Sequence, residues 1–132
     1  MMLQVAYDTT HRELLVDGRR EDYALLSDLT RQAVDSGLEA ELSVQSKGPT
    51  FISHLVVRRG APSNRVSVES GRVIFSVAPN LLRQFLSFIQ FPADADLPDS
   101  PIQYHHHFDG LAGDGIYVAV DSLPVIFGLE KQ

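Results

Sequence analysis

One stretch limits the folds open to this chain more than any other: residues 65–77, Arg-Val-Ser-Val-Glu-Ser-Gly-Arg-Val-Ile-Phe-Ser-Val. Apolar and polar residues alternate on either side of Ser70-Gly71, the pattern of two β-strands joined by a two-residue turn. That register sets Glu69 opposite Arg72, Val68 opposite Val73 and Val66 opposite Phe75. Both the charge pair and the apolar pairs stabilise it. The stretch therefore predicts a β-hairpin in an antiparallel sheet.

Similar alternation predicts further strands along the chain. A half-buried strand over 3–7 is followed, after a turn at Thr9-Thr10-His11, by a second strand that ends at Asp17-Gly18. The remaining predicted strands lie at 39–45, 51–59, 102–109, 116–120 and 123–127. Pro124 indicates either a sheet edge or the start of a strand, because proline cannot donate a ladder hydrogen bond.

Two segments have helical periodicity. The first covers 21–36, ends at Gly37 in a left-handed stop, and has an apolar stripe of Leu25, Leu26, Leu29, Ala33 and Val34. The second begins at Pro79, covers 79–90, and is apolar over all but a narrow stripe. Its apolar face predicts packing on a sheet, with a docking helix for a partner as the alternative. These elements predict a single α+β domain over 1–132, an antiparallel β-sheet with two packed α-helices.

Composition narrows the function classes. The chain has no cysteine, which excludes disulfides, zinc–thiolate clusters and thiol nucleophiles. The N-terminus shows no signal peptide, and no stretch approaches the length of a membrane span. We therefore expect a cytoplasmic protein that does not bind membranes.

The net charge of −6 is unevenly distributed. Residues 1–90 carry equal numbers of acidic and basic side chains, so the whole excess lies in residues 91–132. The proline- and aspartate-rich stretch 91–101 predicts a loop. An acidic region repels nucleic acid and attracts basic partners. A solvated surface with no partner is the alternative.

Three consecutive histidines occupy the predicted strand over 102–109. On a strand, Ile102, Tyr104, His106 and Phe108 share one face, and Gln103, His105, His107 and Asp109 share the other. The first set is mostly apolar and is predicted to face the core. His105, His107 and Asp109 then form half of a zinc site, to which His11, His54 or an aspartate would have to add a ligand.

The recognised catalytic motifs are missing. The sequence contains no Gly-x-Ser-x-Gly, no His-Glu-x-x-His and no phosphate-binding glycine loop. The glycine-rich turn 109–115 joins two predicted strands and opens no helix, which argues against dinucleotide binding. Arg19-Arg20 and Arg58-Arg59 are short basic pairs in an acidic chain, which argues against nucleic-acid binding. We expect neither a cofactor nor catalysis.

The C-terminal third resembles the end of small bacterial immunity proteins of polymorphic toxin systems, in particular the immunity protein 32 family. The residues that carry the resemblance are Tyr104, His105 and His107, followed by Asp121-Ser122-Leu123-Pro124-Val125-Ile126, and the Asn80-Leu81-Leu82 helix start is also similar. The resemblance implies a protein without enzymatic activity that binds and neutralises a cognate toxin, often a nuclease. The acidic region fits this independently, because nucleases have basic clefts.

The leading hypothesis is an immunity protein that occludes a toxin with a basic surface. The predicted partner-binding residues are Asp94, Asp96, Asp99, His105, His107, Asp109 and Asp114. Two alternatives stay open: a small metal-dependent or histidine-based enzyme at His105, His107 and Asp109, and a homodimer formed through the second helix or the last edge strand.

Overall fold

The computed structural model describes residues 2–101, 103–109 and 118–132. The described residues form nine strands in two sheets, an α+β arrangement. The strands are β1 (Gln4–Asp8), β2 (Glu13–Gly18), β3 (Ala40–Ser43), β4 (Gln45–Lys47), β5 (His54–Arg59), β6 (Arg65–Glu69), β7 (Arg72–Val77), β8 (His105–Phe108) and β9 (Val125–Leu129). The helices are α1 (Arg20–Ser36) and α2 (Leu82–Ser87), the latter preceded by a 3-10 turn, Pro79–Leu81.

The prediction of one antiparallel sheet is only partly right. The five-stranded sheet has the order β4-β1-β2-β9-β8 and the four-stranded sheet the order β3-β5-β7-β6. Three pairs are parallel, β1 with β4, β2 with β9, and β5 with β7. Parallel neighbours require crossover connections between distant segments, and local alternation does not reveal them.

The predicted hairpin is confirmed residue for residue. Glu69 pairs with Arg72, Val68 with Val73 and Val66 with Phe75. Ser70 and Gly71 both have positive φ, 51° and 75°, as a two-residue turn of the hairpin type requires.

The segment predicted as one strand over 39–45 serves both sheets. Chain direction changes at buried Val44, so that β3 belongs to the four-stranded sheet and β4 to the five-stranded one. A bend of this kind lets one segment turn the corner between two packed sheets. The predicted strand over 51–59 starts later, at His54, and leaves Phe51 exposed.

Helix α1 matches its prediction within one residue, and Gly37 ends it in the left-handed conformation with φ 77°. The predicted stripe is wrong at Leu25, whose exposure is 47%; Tyr23 and Thr30 are buried instead. The second helix is shorter than predicted. It ends at Ser87, and the next residues form tighter bonds to the third residue back, from Phe88 N to Phe85 O at 3.0 Å and from Ile89 N to Leu86 O at 3.1 Å.

An aromatic cluster joins the layers. Phe127 of the five-stranded sheet lies 5.8 Å, ring centre to ring centre, from Phe75 of the four-stranded sheet. Tyr23 of α1 packs on Phe127, and Phe85 of α2 lies between Phe75 and Phe108. The apolar face of the second helix is therefore part of the core, as predicted. Because that face is buried inside the protein, it is not available to dock a partner.

The C-terminal strand is two residues later than predicted. Pro124 immediately precedes β9, which confirms the reading as a strand start. The sheet-edge reading is wrong, because β9 lies between β2 and β8. The strand predicted over 116–120 and the glycine-rich turn 109–115 fall mostly outside the described residues.

Candidate protein-binding surface

The histidine run forms a strand at the edge of the five-stranded sheet. Within the described ranges, β8 pairs with β9 alone. The predicted alternation is confirmed: Phe108 is buried and His106 is half-buried, whereas His105 and His107 are exposed. The rings of His105 and His107 lie 5.0 Å apart, centre to centre.

His106 anchors this edge strand to the body of the protein. Its Nδ1 lies 2.9 Å from the carbonyl oxygen of Phe88, at the end of α2. Its ring stacks on Phe91 with a 4.6 Å separation and an interplanar angle of 3°. The two contacts fix β8 on its inner side, and His105 and His107 project from the opposite, outer side.

The two exposed histidines belong to a larger surface, which we call the open face. It is the outer side of the five-stranded sheet, where strand register aligns residues in two rows. One row is apolar in its middle and the other is polar at both ends. The rows run Ala6, Leu15, Ile126, His107 and Gln4, Asp17, Gly128, His105.

A shallow depression of about 300 Å³ marks the open face beside His105. Gly128 lies in its floor, and the carboxylate of Asp17 occupies the place that a Cβ at position 128 would take. Partial burial at this site raises the pKa of the Asp17 carboxyl group. The depression is lined by Leu15, Asp17, Gln103, His105, Ile126 and Gly128.

The acidic loop 91–101 adjoins the same end of the sheet. Asp96 is buried, with 3% exposure, and accepts hydrogen bonds from Arg20 Nη2 at 3.0 Å and from Gln132 Nε2 at 3.1 Å. The bond from Arg20 is the main reason why the pKa of Asp96 is lowered. Lys131 Nζ also donates to the carbonyl oxygen of Ser100. Asp96 is thus an internal anchor of the loop and is not available to a partner.

Asp94 and Asp99, on either side of that anchor, are exposed. Neither forms an ion pair with any other residue that the structure describes. The loop therefore presents two exposed carboxylates from a backbone fixed by Asp96.

The acidic residues that follow β8 in sequence differ in their surroundings. Asp109 is half-buried and borders a second depression, of about 340 Å³, together with His11 and Arg12. Asp121 is exposed but pairs with Arg65 at 3.1 Å. Asp114 lies outside the described residues. The predicted set of seven is therefore divided, and only Asp94, Asp99, His105 and His107 are shown to be exposed.

No single-chain metal site forms among the residues that the structure describes, since no three histidine or carboxylate side chains come together there. The two histidines considered as additional ligands are engaged elsewhere. His11 pairs with Asp8 at 2.7 Å, and the hydrogen bond raises the pKa of His11. His54 lies on the four-stranded sheet, with its Nε2 3.3 Å from Glu41.

Sequence reasoning missed the middle of the open face. Ile126 joins the histidines through the pairing of β8 with β9, and Leu15 and Asp17 join them through the parallel pairing of β2 with β9, more than 100 residues apart in sequence. One local signal exists, the glycine inside the apolar run Val-Ile-Phe-Gly-Leu, because a glycine within a strand often marks close approach of another group.

Comparison with known proteins adds no family to this geometry. The chain matches no protein-family model, no curated protein and no solved structure. Across the described ranges, neither helix has the length and apolar character needed to span a bilayer.

Proposed function

We propose that this chain is an immunity protein that binds a toxin with a basic surface, such as a nuclease, and occludes it. The observation that carries the proposal is the pair of exposed carboxylates on the anchored loop, Asp94 and Asp99, held at the sheet end where the open face begins.

Loop anchoring supports a binding role. A loop that is ordered before binding loses less conformational entropy when the complex forms. Asp96 provides that order through Arg20, and Arg20 also donates to the carbonyl oxygens of Phe91 and Pro92 at 3.2 Å and 2.6 Å. Free carboxylates on such a loop would speed encounter with a cationic cleft.

The open face supports the proposed occlusion of the toxin. Protein interfaces combine an apolar centre with a polar rim. The row of Ala6, Leu15 and Ile126 offers such a centre, with His105 and His107 at its border. The acidic loop would set the association rate, and the apolar row would set the lifetime of the complex.

The test begins with the gene neighbourhood, where the proposal expects a toxin gene immediately beside the gene for this chain, and then uses the product of that gene. Co-expression of the two proteins should rescue growth that the toxin alone stops. Replacing Asp94 and Asp99 with Asn should slow association severalfold at low salt and leave dissociation nearly unchanged, because exposed charges act mainly on encounter.

The matched control replaces Asp28 and Asp35 with Asn. Both lie exposed on α1, so the net charge changes equally at another site. Equal slowing by the two double variants would remove the acidic loop from the interface. Failure of the wild-type chain to bind or to rescue growth would refute the immunity function with this toxin.

A further inference from the structure

We propose that His105 and His107 form one half of a zinc site that is completed by the same two histidines of a second copy of this chain, paired edge to edge through β8. This inference does not rest on the toxin-binding proposal. The two would compete, since both use the open face.

One chain supplies two well-placed ligands. His105 and His107 are exposed on the same side of β8, with ring centres 5.0 Å apart. Nδ1 of His105 lies 3.3 Å from the carbonyl oxygen of Gln103. Donation of the Nδ1 proton to that oxygen leaves Nε2 with a free lone pair, the arrangement common in histidine ligands of metals.

Two ligands are too few for a stable zinc site. Structural zinc is almost always bound by four ligands in a tetrahedron. The described part of this chain brings no third histidine or carboxylate to the pair. The proposal takes the missing ligands from another molecule.

The alternating direction of the backbone N–H and C=O groups along β8 shows how a second copy would fit. Leu129 N donates to Tyr104 O at 3.0 Å, so Tyr104 directs its backbone polar groups to β9. Every second residue of an antiparallel ladder faces the same neighbour. His106 and Phe108 thus also face β9, and His105 and His107 direct their N–H and C=O groups to the opposite edge.

This direction of the backbone groups of His105 and His107 fits antiparallel pairing of β8 with β8 of a second copy. A two-fold axis that passes midway between His106 and His106 of the second copy puts His105 opposite the second copy's His107 as a hydrogen-bonded pair, and His107 opposite its His105. The four Cα atoms then form a rectangle of about 6.7 Å along the strand and about 5.5 Å across it. All four imidazoles project on the same side, above the centre of the rectangle, where one ion can reach them.

Zinc is the metal that this ligand set favours. Four neutral imidazoles at the corners of a compact rectangle match its preference for nitrogen ligands and tetrahedral geometry. The closed two-fold pairing also satisfies the edge of β8, because each strand provides the donors and acceptors that the other needs.

The test is a zinc titration of the full chain after removal of metal by chelator, followed by mass measurement in light scattering. We expect a monomer without metal and a dimer with zinc, at one ion per two chains. Cobalt in place of zinc should give the visible absorption of a tetrahedral complex. Each of His105→Gln and His107→Gln should abolish both the dimer and this absorption.

The controls are His11→Gln and His54→Gln, which remove histidines remote from β8 and should leave dimerisation unchanged. Four outcomes would overturn the proposal. They are zinc bound at one ion per chain to a monomer, an octahedral cobalt spectrum, a dimer that survives chelator or persists in His105→Gln or His107→Gln, and equal loss of dimer in either control.

Discussion

The outer faces of the two sheets differ in how their apolar residues are covered. On the four-stranded sheet, charged side chains of neighbouring strands pair with one another and cover apolar residues beneath them. On the five-stranded sheet, the open face leaves Leu15 39% exposed and both outer histidines in solvent. A sheet face that is not covered by a helix can thus be sealed by its own charges or left available for a partner.

The sealed face is an ion-pair network across β3, β5 and β7. Arg58 pairs with Glu39 at 3.0 Å, and Arg72 pairs with Glu41 at 3.4 Å and lies 4.0 Å from Glu39. The long side chains lie beside Val56 and Ile74, which are only 0% and 2% exposed. Aliphatic stems of arginine and glutamate cover apolar surface well while their charged ends remain wet.

The contrast indicates where binding energy is available. On the sealed face, a partner would have to break ion pairs and would find little apolar surface. On the open face, an apolar row is already exposed and the nearby carboxylates of Asp94 and Asp99 form no ion pair within the described part of the chain. We therefore expect equivalent substitutions on the two faces to have different effects.

The largest difference should come from truncating one apolar side chain on each face. Ile74→Ala removes buried carbons and should lower the free energy of unfolding by about 3 kcal/mol. Leu15→Ala removes the same number of carbons from a partly solvated position and should cost less than about 1 kcal/mol. Urea denaturation of both variants measures the difference, and equal losses would refute the distinction between the faces.

A smaller effect should follow from opening the ion-pair network. Arg72→Gln removes one of the two partners of Glu41, the other being His54, and part of the cover over Ile74, and should cost about 1 kcal/mol at low salt. The loss should shrink in high salt, because screening weakens exposed ion pairs. Arg83→Gln is the control, since Arg83 is exposed on α2 and pairs with no carboxylate among the residues described. A cost for Arg83→Gln as large as that for Arg72→Gln would contradict the network.

The smallest effect should come from Asp17 on the open face. Its pKa is raised by burial, so the folded state disfavours the ionised carboxyl group. That penalty is fully present above the raised pKa of the folded state and absent below the ordinary pKa of the unfolded chain. Asp17→Asn should therefore stabilise the protein slightly at neutral pH, by less than about 0.5 kcal/mol because solvent screens the group, and the gain should vanish in acid. Unfolding measured across the acid range would contradict this if the variant were less stable at pH 7.

Local elements were largely predictable. The hairpin register, helix α1 with its Gly37 stop, and the alternation of the histidine run all depend on neighbours within a few residues, and all three are confirmed. Helix α2 was predicted too long, because its apolar periodicity continues through Ile89, where the backbone has already changed to a tighter turn.

The candidate site was predictable only in part. The exposure of His105 and His107 follows from alternation along one strand. The division of the acidic residues into exposed and buried ones does not follow from the sequence pattern. Asp94, Asp96 and Asp99 look equivalent in a proline-rich loop, yet Arg20, 76 residues away from Asp96 in sequence, makes one of them a buried anchor. Proline and aspartate spacing contains no information about which carboxylate meets a distant arginine.

The amino-acid sequence by itself determines short-range features. They are the periodicities of the strands and helices, the turn at Ser70-Gly71, and the excess of acidic residues after residue 90. Tertiary structure alone decides the split into two sheets, the parallel contact of β2 with β9, and the assignment of one outer face to ion pairs and the other to solvent. The physical reason is that periodicity reflects the geometry of a single segment, whereas sheet order and charge pairing depend on which remote segments can be packed together at least cost in free energy.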